Sequence, residues 1–309
     1  MFSQYFGHYL LNNGLITSVQ LNHALELQKT THVKFGVLAV DEGLLTTDQV
    51  EEIHERQRIH DKRFGEIATE LGYLSNDQVD MMLSSQKKNH LLLAQAIVDQ
   101  NYMTIEAFSN ALTNYKKLYS LSDEKFEAIK SGDIDAMVEG LLHLKETEKQ
   151  GYAQYISLFV KNMIRFIDDQ VYVEAGSANG NLQTEWLVSQ EIKGANPLFT
   201  AIAVDEKLFL EIASVFAEEE LTEANELAQA SVSEFLNLHN GIYLVNMSNK
   251  GIELDMEPQK VEKNAKISID EGAGLPIIVH TSKGEFQLLI ANQPKHITVS
   301  SGKKENQAV

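Results

Sequence analysis

Cysteine is absent from this chain of 309 residues, and its absence excludes disulfides, Cys-ligated zinc and thiol catalysis. The chain has only 4 prolines and 18 glycines, and this scarcity excludes a fibrous or disordered chain as well. There is no run of about eighteen apolar residues, and the opening MFSQYFGHYLLNNG lacks the basic and apolar regions of a signal peptide. These absences together predict a globular protein of the cytoplasm that is not inserted in a membrane.

Positive charge is also scarce. The net charge is −18, and residues 1–118 contain 10 Lys or Arg against 14 Asp or Glu. Nucleic acids and anionic membranes are bound mainly through Lys and Arg, so neither is an expected partner. His32, His54, His60 and His90 occur in one stretch, but none forms a His-x-x-x-His pair on a helix, and we expect no metal site. A protein or a small molecule is the expected partner.

The length itself predicts more than one domain, because a single hydrophobic core rarely serves a chain this long. We predict an α+β protein in which an all-helical amino-terminal repeat domain is followed by an α/β domain with a largely antiparallel sheet. The predicted boundaries are helical repeats at 1–118, a helical connector at 119–150, the α/β domain at 151–300 and a flexible tail at 301–309.

A repeat with a step of 29 residues organises the first part of the chain. FGHYLLNNGLITSVQLNHALELQ, FGVLAVDEGLLTTDQVEEIHERQ and FGEIATELGYLSNDQVDMMLSSQ begin at Phe6, Phe35 and Phe64, and a weaker copy, LAQAIVDQNYMTIEAFSNALTNY, begins at Leu93. Each copy predicts two helices joined by a tight turn. Such a unit buries its apolar stripe only against neighbouring copies.

Two kinds of residue mark the turn in each copy. The residue that ends the first helix is suited to a left-handed backbone, and it is Gly14, Gly43, Gly72 or Asn101. A Ser or Thr then begins the second helix. In the first three copies a Gln three places later predicts a capping box, formed by Thr17 with Gln20, Thr46 with Gln49 and Ser75 with Gln78.

The template resembles the amino-terminal modules of type II secretion and type IV pilus ATPases, the MshEN family, whose motif reads roughly Arg-Leu-Gly, then Leu, Gly, Ile, Leu and Ala-Leu-x-x-Gln. Copy three matches it best, at Arg63, Phe64, Gly65, Ile67, Gly72, Leu74, Val79, Leu83 and Gln86. Some members bind cyclic di-GMP, so the resemblance implies Arg63 as a candidate nucleotide contact. The alternatives for the repeats are a rigid module for targeting or signal input, and a DNA-binding helix-turn-helix, which the acidic balance disfavours.

The remaining sequence predicts two connector helices broken near Gly132, a helix over YAQYISLFVKNMIRFID, and then an α/β pattern. VYVEA and LQTEWLVSQEI are predicted as two strands across the plain turn GSANGN, LFTAIAVDE as a strand and KLFLEIASVFAEEE as a helix. A longer helix, LTEANELAQASVSEFLNLHNG, is predicted to end at Gly241. Further strands are predicted in IYLVNMSNKGIELDME, AKISID, LPIIVHT and EFQLLIA.

The long helix carries the residues that predict a function. Glu234 and Asn237 form an i, i+3 pair on its exposed side, a few residues before Gly241. The apolar stripe opposite them is predicted to be Ala224, Leu227, Ala228, Phe235 and Leu238. The Glu-x-x-Asn of EFLNLHNG, together with the order of the predicted elements around it, resembles the CheX and CheC chemotaxis phosphatases over about residues 152–292.

That resemblance implies a phosphatase that hydrolyses the aspartyl phosphate of a response-regulator receiver such as CheY, in two-component or chemotaxis signalling. It implies catalytic roles for Asn237, whose amide would orient the attacking water, and for Glu234, which would pair with a receiver lysine. Mg²⁺ is expected on the receiver, and no cofactor is expected on this chain.

Two alternatives stay open at this point. The CheX-like domain can be a non-enzymatic adaptor, with cyclic di-GMP bound by the repeats. A homodimer is a further alternative, because IYLVNM and EFQLLIA would offer a sheet edge to a second copy.

Overall fold

The structure is a computed structural model that describes residues 2–59, 62–84, 89–142, 146–176, 181–270 and 272–301. The chain divides into two compact units, Met1–Met137 and Val138–Val309, and the division falls inside the segment predicted as a connector. Most of the predicted GSANGN turn and of the predicted tail lies outside the described residues, as does His60. Within the described part of the chain, no helix combines the length and the apolar character needed to cross a membrane.

The first unit is built from helices, which confirms the all-helical amino-terminal part of the predicted fold class. Its helices are α1 (Phe2–Asn12), α2 (Ser18–Leu27), α3 (Phe35–Asp41), α4 (Thr47–Ile59), α5 (Phe64–Glu70), α6 (Asn76–Ser84), α7 (Asn89–Asp99), α8 (Ile105–Leu118) and α9 (Asp123–Ser131). A further helix, α10 (Ile134–Leu141), spans the division between the units. The predicted break between α9 and α10 is present, because Gly132 ends α9 in the left-handed conformation with φ +96°.

The predicted turn is present in all four repeats. Gly14, Gly43 and Gly72 have φ of +66°, +66° and +70°, and Asn101 has φ of +54°. These four residues occupy equivalent positions, so each copy ends its first helix with a left-handed residue at the same place.

The capping boxes are confirmed in the first three copies. The backbone N–H of Thr46 donates to Gln49 Oε1 at 2.8 Å, and the backbone N–H of Gln49 donates to Thr46 Oγ1 at 3.2 Å. Copies one and three make the same reciprocal bonds. The fourth copy has no such glutamine, and its Thr104 only accepts a hydrogen bond from the backbone of Ala107.

The glycine of the Phe-Gly pair allows the two helices of one repeat to approach closely. A Cβ atom at Gly36 would lie 2.8 Å from Cγ1 of Val50, and one at Gly7 would lie 2.5 Å from a methyl carbon of Leu21. Both distances are shorter than van der Waals contact, so a larger residue would displace the side chains of the second helix. The Phe-Gly pair is therefore a packing feature of the repeat.

The second unit combines helices with an antiparallel sheet, which confirms the remainder of the predicted fold class. Its helices are α11 (Glu146–Phe166), α12 (Glu206–Ala217) and α13 (Glu226–Ser248). Its strands are β1 (Tyr172–Ala175), β2 (Asn181–Gly194), β3 (Leu198–Val204), β4 (Leu254–Met256), β5 (Lys260–Ile269), β6 (Leu275–His280), β7 (Glu285–Ala291) and β8 (Ile297–Ser301). The strand order is β1-β6-β7-β3-β2-β5-β8, with β4 also paired to β2, and every described pair is antiparallel.

Side chains along β2 alternate between the two faces of the sheet. Trp186 faces the helices and stacks on Phe209 of α12, with 4.8 Å between ring centroids, whereas Leu187 joins an apolar cluster with alanines of β3. The alternation puts Gln190 on the same face as Trp186. Gln190 is paired in register with Thr200 of β3, so these two polar side chains lie side by side beneath the helices.

The prediction that the long helix ends at Gly241 is wrong. Helix α13 continues through IYLVNM, predicted as a strand, to Ser248, and the turn that follows contains Gly251 with φ +77°. Buried residues recur every four positions across the predicted end, at Phe235, His239, Tyr243 and Met247. Packing of this face therefore extends the helix despite the strand propensity of Ile, Tyr and Val.

The buried stripe of α13 also differs from the predicted one. Ala228 and Phe235 are buried as predicted, but Ala224 precedes the helix, Leu227 is 47% exposed and Leu238 is half-buried. The observed stripe consists of Ala228, Ser231, Val232, Phe235, Leu236, His239, Asn240, Tyr243 and Met247. Three polar residues in it are absent from the prediction.

Two predictions about strand pairing are wrong. Strands β1 and β2, predicted to pair across a turn, are separated in the sheet by β6, β7 and β3. The predicted dimer edge is also wrong, because IYLVNM is helical and EFQLLIA is β7, which lies between β6 and β3. Strand β8, which the sequence patterns do not predict, pairs with β5 at the end of the described strand order. The homodimer itself stays a prediction.

Candidate functional site

Glu234 and Asn237 lie next to each other on α13, as their spacing predicts. Asn237 Nδ2 donates a hydrogen bond to Glu234 Oε2 at 3.2 Å. Glu234 is exposed and Asn237 is half-buried. The pair therefore places one carboxylate and one amide together on the same side of the helix.

The inner side of Asn237 is held by Gln190 of β2. Gln190 is buried, and its Nε2 donates to Asn237 Oδ1 at 3.1 Å and to the backbone carbonyl of Glu257 at 2.9 Å. Asn237 thus directs its oxygen toward a buried amide and its nitrogen toward Glu234. Gln190 is not among the site residues that the sequence predicts.

A buried network of hydrogen bonds continues behind Gln190. Asn240 Nδ2 donates to Gln190 Oε1 at 2.8 Å and to Thr200 Oγ1 at 3.0 Å, and Thr200 Oγ1 donates to the backbone oxygen of Gln190 at 3.1 Å. Tyr155 of α11 donates through its hydroxyl to Asn240 Oδ1 at 2.6 Å. Burial raises the pKa of Tyr155, so the hydroxyl keeps its proton and remains a donor. The network joins α11, α13, β2 and β3.

Helix α13 also carries a buried histidine, His239, on its inner side. The ring lies edge-on to Tyr155 and Phe159, with 4.5 and 5.1 Å between centroids, and Nδ1 is 3.0 Å from Asn162 Nδ2. Burial lowers the pKa of His239 to about 3, so the ring is neutral at neutral pH. Its Nε2 has no hydrogen-bond partner among the described residues. The histidine therefore adds no charge beneath the Glu234–Asn237 pair.

The candidate nucleotide contact, Arg63, lies in the first unit at the start of α5. Its backbone N–H donates to Glu66 Oε2 at 2.8 Å, and its side chain is exposed. The equivalent residue of copy two, Lys34, is paired with Asp99 at 2.5 Å. Binding of cyclic di-GMP by the repeats stays a prediction. In the described ranges of the chain, no group of three His, Asp or Glu side chains is arranged to hold a metal ion.

No protein-family model and no curated protein matches this chain. Solved structures that are similar include the chemotaxis protein CheX of Desulfovibrio desulfuricans, with 14% identity and a TM-score of 0.38, covering 45% of this chain and 96% of that one. CheX of Vibrio vulnificus has 18% identity and a TM-score of 0.38, covering 45% of this chain and 98% of that one. A CheX–CheY–BeF3–Mg²⁺ complex of Borrelia burgdorferi has 14% identity and a TM-score of 0.34, covering 48% of this chain and 96% of that one. At these identities the likeness concerns the fold alone.

Proposed function

We propose that the second unit is a phosphatase that hydrolyses the aspartyl phosphate of a CheY-like response-regulator receiver. The observation that supports this most directly is the orientation of Asn237, whose oxygen is held by buried Gln190 and whose nitrogen faces exposed Glu234. An amide nitrogen at an accessible surface can position a water molecule, and a carboxylate beside it can bind a cation of the partner.

In the proposed reaction the receiver supplies the phosphorylated aspartate and its Mg²⁺. Asn237 Nδ2 donates a hydrogen bond to a water molecule and holds it in line with the phosphorus atom. The water oxygen forms the new bond to phosphorus while the bond to the aspartate oxygen breaks, which releases inorganic phosphate and restores the carboxylate. Glu234 pairs with a lysine of the receiver and fixes the approach of the two proteins. Placement of the water is the main contribution of this chain, because the metal and lysine compensate the phosphoryl charge.

The Borrelia burgdorferi complex contains CheX together with CheY, BeF3 and Mg²⁺. These are the classes of protein and metal that we assign to the partner of this chain. The first unit would then serve for targeting or signal input, as the repeats predict.

Phosphate release from a phosphorylated receiver tests this function. The intact chain should accelerate release, and Asn237→Ala should lower the rate by about 100-fold because the water is no longer held. Asn246→Ala is a matched control, since Asn246 is exposed on another side of the same helix. Its rate should equal that of the unchanged chain. If the unchanged chain is no faster than Asn237→Ala, the non-enzymatic adaptor is the correct alternative.

A further inference from the structure

A primary amide has two ends of nearly equal size, and only the nitrogen end donates hydrogen bonds. The role proposed for Asn237 requires the nitrogen outward, so the fold must distinguish the two ends. Gln190 is the buried neighbour on the inner side, with its Nε2 3.1 Å from Asn237 Oδ1. Because Gln190 also carries an amide, its own orientation must be fixed from behind.

The backbone carbonyl of Glu257 fixes Gln190. A carbonyl oxygen can only accept, and the side-chain nitrogen of Gln190 lies 2.9 Å from it, so the nitrogen of Gln190 must face this group. The second hydrogen of the same nitrogen goes to Asn237 Oδ1. The backbone carbonyl of Glu257 therefore fixes the orientation of Gln190, and Gln190 in turn fixes the orientation of Asn237.

The amide of Asn240, which lies behind Gln190, is also oriented by a backbone carbonyl, that of Gln190 itself. Thr200 Oγ1 gives its one hydrogen to the backbone oxygen of Gln190, so toward Asn240 it can only accept. Asn240 Nδ2 then faces both Thr200 Oγ1 and Gln190 Oε1, and its oxygen faces the hydroxyl of Tyr155. All four amide hydrogens of Gln190 and Asn240 have acceptors, so neither amide can be reversed without losing hydrogen bonds in the core.

These bonds leave one donor unused at the surface. Asn237 Nδ2 gives one hydrogen to Glu234 Oε2, and its second hydrogen has no acceptor among the described residues. We propose that Gln190 is a positioning residue, which holds this second N–H of Asn237 outward for the attacking water. The inference rests on the proposed phosphatase function and identifies the part of the fold that prepares Asn237 for it. Gln190 is buried, so it acts through Asn237 and touches no substrate.

A double-mutant cycle on the full chain tests this role, with phosphate release from an acetyl-phosphate-treated CheY-like receiver as the measurement. Gln190→Met keeps the size of the side chain and removes its donors. It should lower kcat by about 10-fold and change KM for the receiver by less than about 2-fold. In the Asn237→Ala background the same change should have no further effect, because Gln190 acts only through Asn237. Gln183→Met, at an exposed position of the same strand, is the matched control and should change neither constant.

The outcomes separate this role from the function on which it rests. If the unchanged chain is active and Gln190→Met lowers the rate equally in both backgrounds, Gln190 serves only stability and the inference is overturned while the phosphatase stands. If Gln190→Met has no effect, the inference is overturned in the same way. If the unchanged chain is no faster than Asn237→Ala, the phosphatase function is overturned first and the role of Gln190 with it.

A measurement on the unchanged chain keeps the test valid even where Gln190→Met does not fold. Nitrogen-15 relaxation of the side-chain amides should show Asn237 as rigid and the exposed Asn246 as mobile, whatever the enzymatic activity. The hydrogens of Gln190 Nε2 should be protected from exchange with D2O, because Gln190 is buried and both hydrogens are bonded. An Asn237 amide as mobile as that of Asn246 would overturn the inference.

Discussion

The capping boxes of the repeats and the hydrogen-bond network behind Asn237 differ in how far apart their residues lie in the chain. In the helical unit, the hydrogen bonds that begin the second helix of a repeat join residues three positions apart, as between Thr46 and Gln49. In the second unit, Gln190 and Asn237 are 47 positions apart, and Tyr155 and Asn240 are 85 apart. Local bonds form whenever the motif is present, whereas distant bonds form only when the sheet and helices have assembled. The orientation of Asn237 is therefore a property of the whole second unit.

The largest expected effect comes from breaking a distant bond. Asn240→Leu leaves the hydroxyl of Tyr155 and Oε1 of Gln190 without partners in the core, so the free energy of unfolding of the second unit should fall by about 3 kcal/mol. Denaturant titration followed by Trp186 fluorescence measures this, because Trp186 is buried in that unit and the chain has 1 tryptophan.

The matched local change is Thr46→Ala, which removes one capping box. It should cost the helical unit about 1 kcal/mol, measured by circular dichroism, and leave the Trp186 transition unchanged. A loss for Asn240→Leu no larger than that for Thr46→Ala would contradict the contrast between local and distant bonds.

An intermediate effect is expected from pH, again in the second unit. Burial lowers the pKa of His239 from its ordinary value of 6.5 to about 3, so the unfolded chain binds a proton that the folded chain does not. Stability is therefore lost as the pH falls below about 6.5, by about 2 kcal/mol between pH 7 and pH 5. Carboxylates titrate in the same range, so the pH dependence of the unchanged chain must be compared with that of His239→Leu. The quantity to compare is the free energy of unfolding from denaturant titrations followed by Trp186 fluorescence. The same pH dependence in both chains would show that His239 is not the cause.

The smallest effects distinguish two glycines, one in each unit. Gly43 has φ of +66°, so Gly43→Ala should destabilise the helical unit by about 1 kcal/mol. Gly241 lies inside α13, and a Cβ there would come no closer than 3.9 Å to Met256 Cε, so Gly241→Ala should stabilise the second unit by about 0.5 kcal/mol. Denaturant titration of each variant shows whether its free energy of unfolding falls, as expected for Gly43→Ala, or rises, as expected for Gly241→Ala. Destabilisation by both changes would instead favour a helix that ends at Gly241.

These contrasts explain how much of the molecule can be predicted from its sequence. The turns and capping boxes of the repeats depend on residues close in the chain, such as Gly43 and Thr46, and they are predicted correctly. The continuation of α13 beyond Gly241 depends on packing of Tyr243 and Met247, which local propensity does not contain. Strand order is missed for the same reason, since VYVEA pairs with a strand that occurs about a hundred residues later.

For the candidate site, the sequence predicts the Glu234–Asn237 pair but not its support. A signal for Gln190 does exist, because it takes the place of an apolar residue in the alternation of Trp186, Val188 and Ile192 along β2. A polar residue in that position is expected to have a buried partner. The partner cannot be named from the sequence, since Asn240 and Tyr155 meet it only in the folded unit.

The position of the pair along α13 has an electrostatic consequence. Glu234 and Asn237 are the ninth and twelfth residues of a helix of 23 residues, so both lie about 12 Å or more from either end. The partial charges of a helix macrodipole are concentrated in the terminal turns and fall off within one turn. The backbone of α13 therefore contributes almost no potential at the pair. Under the proposed function, this chain therefore contributes the geometry of the pair and the charge of Glu234, and the electric field that acts on the phosphoryl group comes from the receiver.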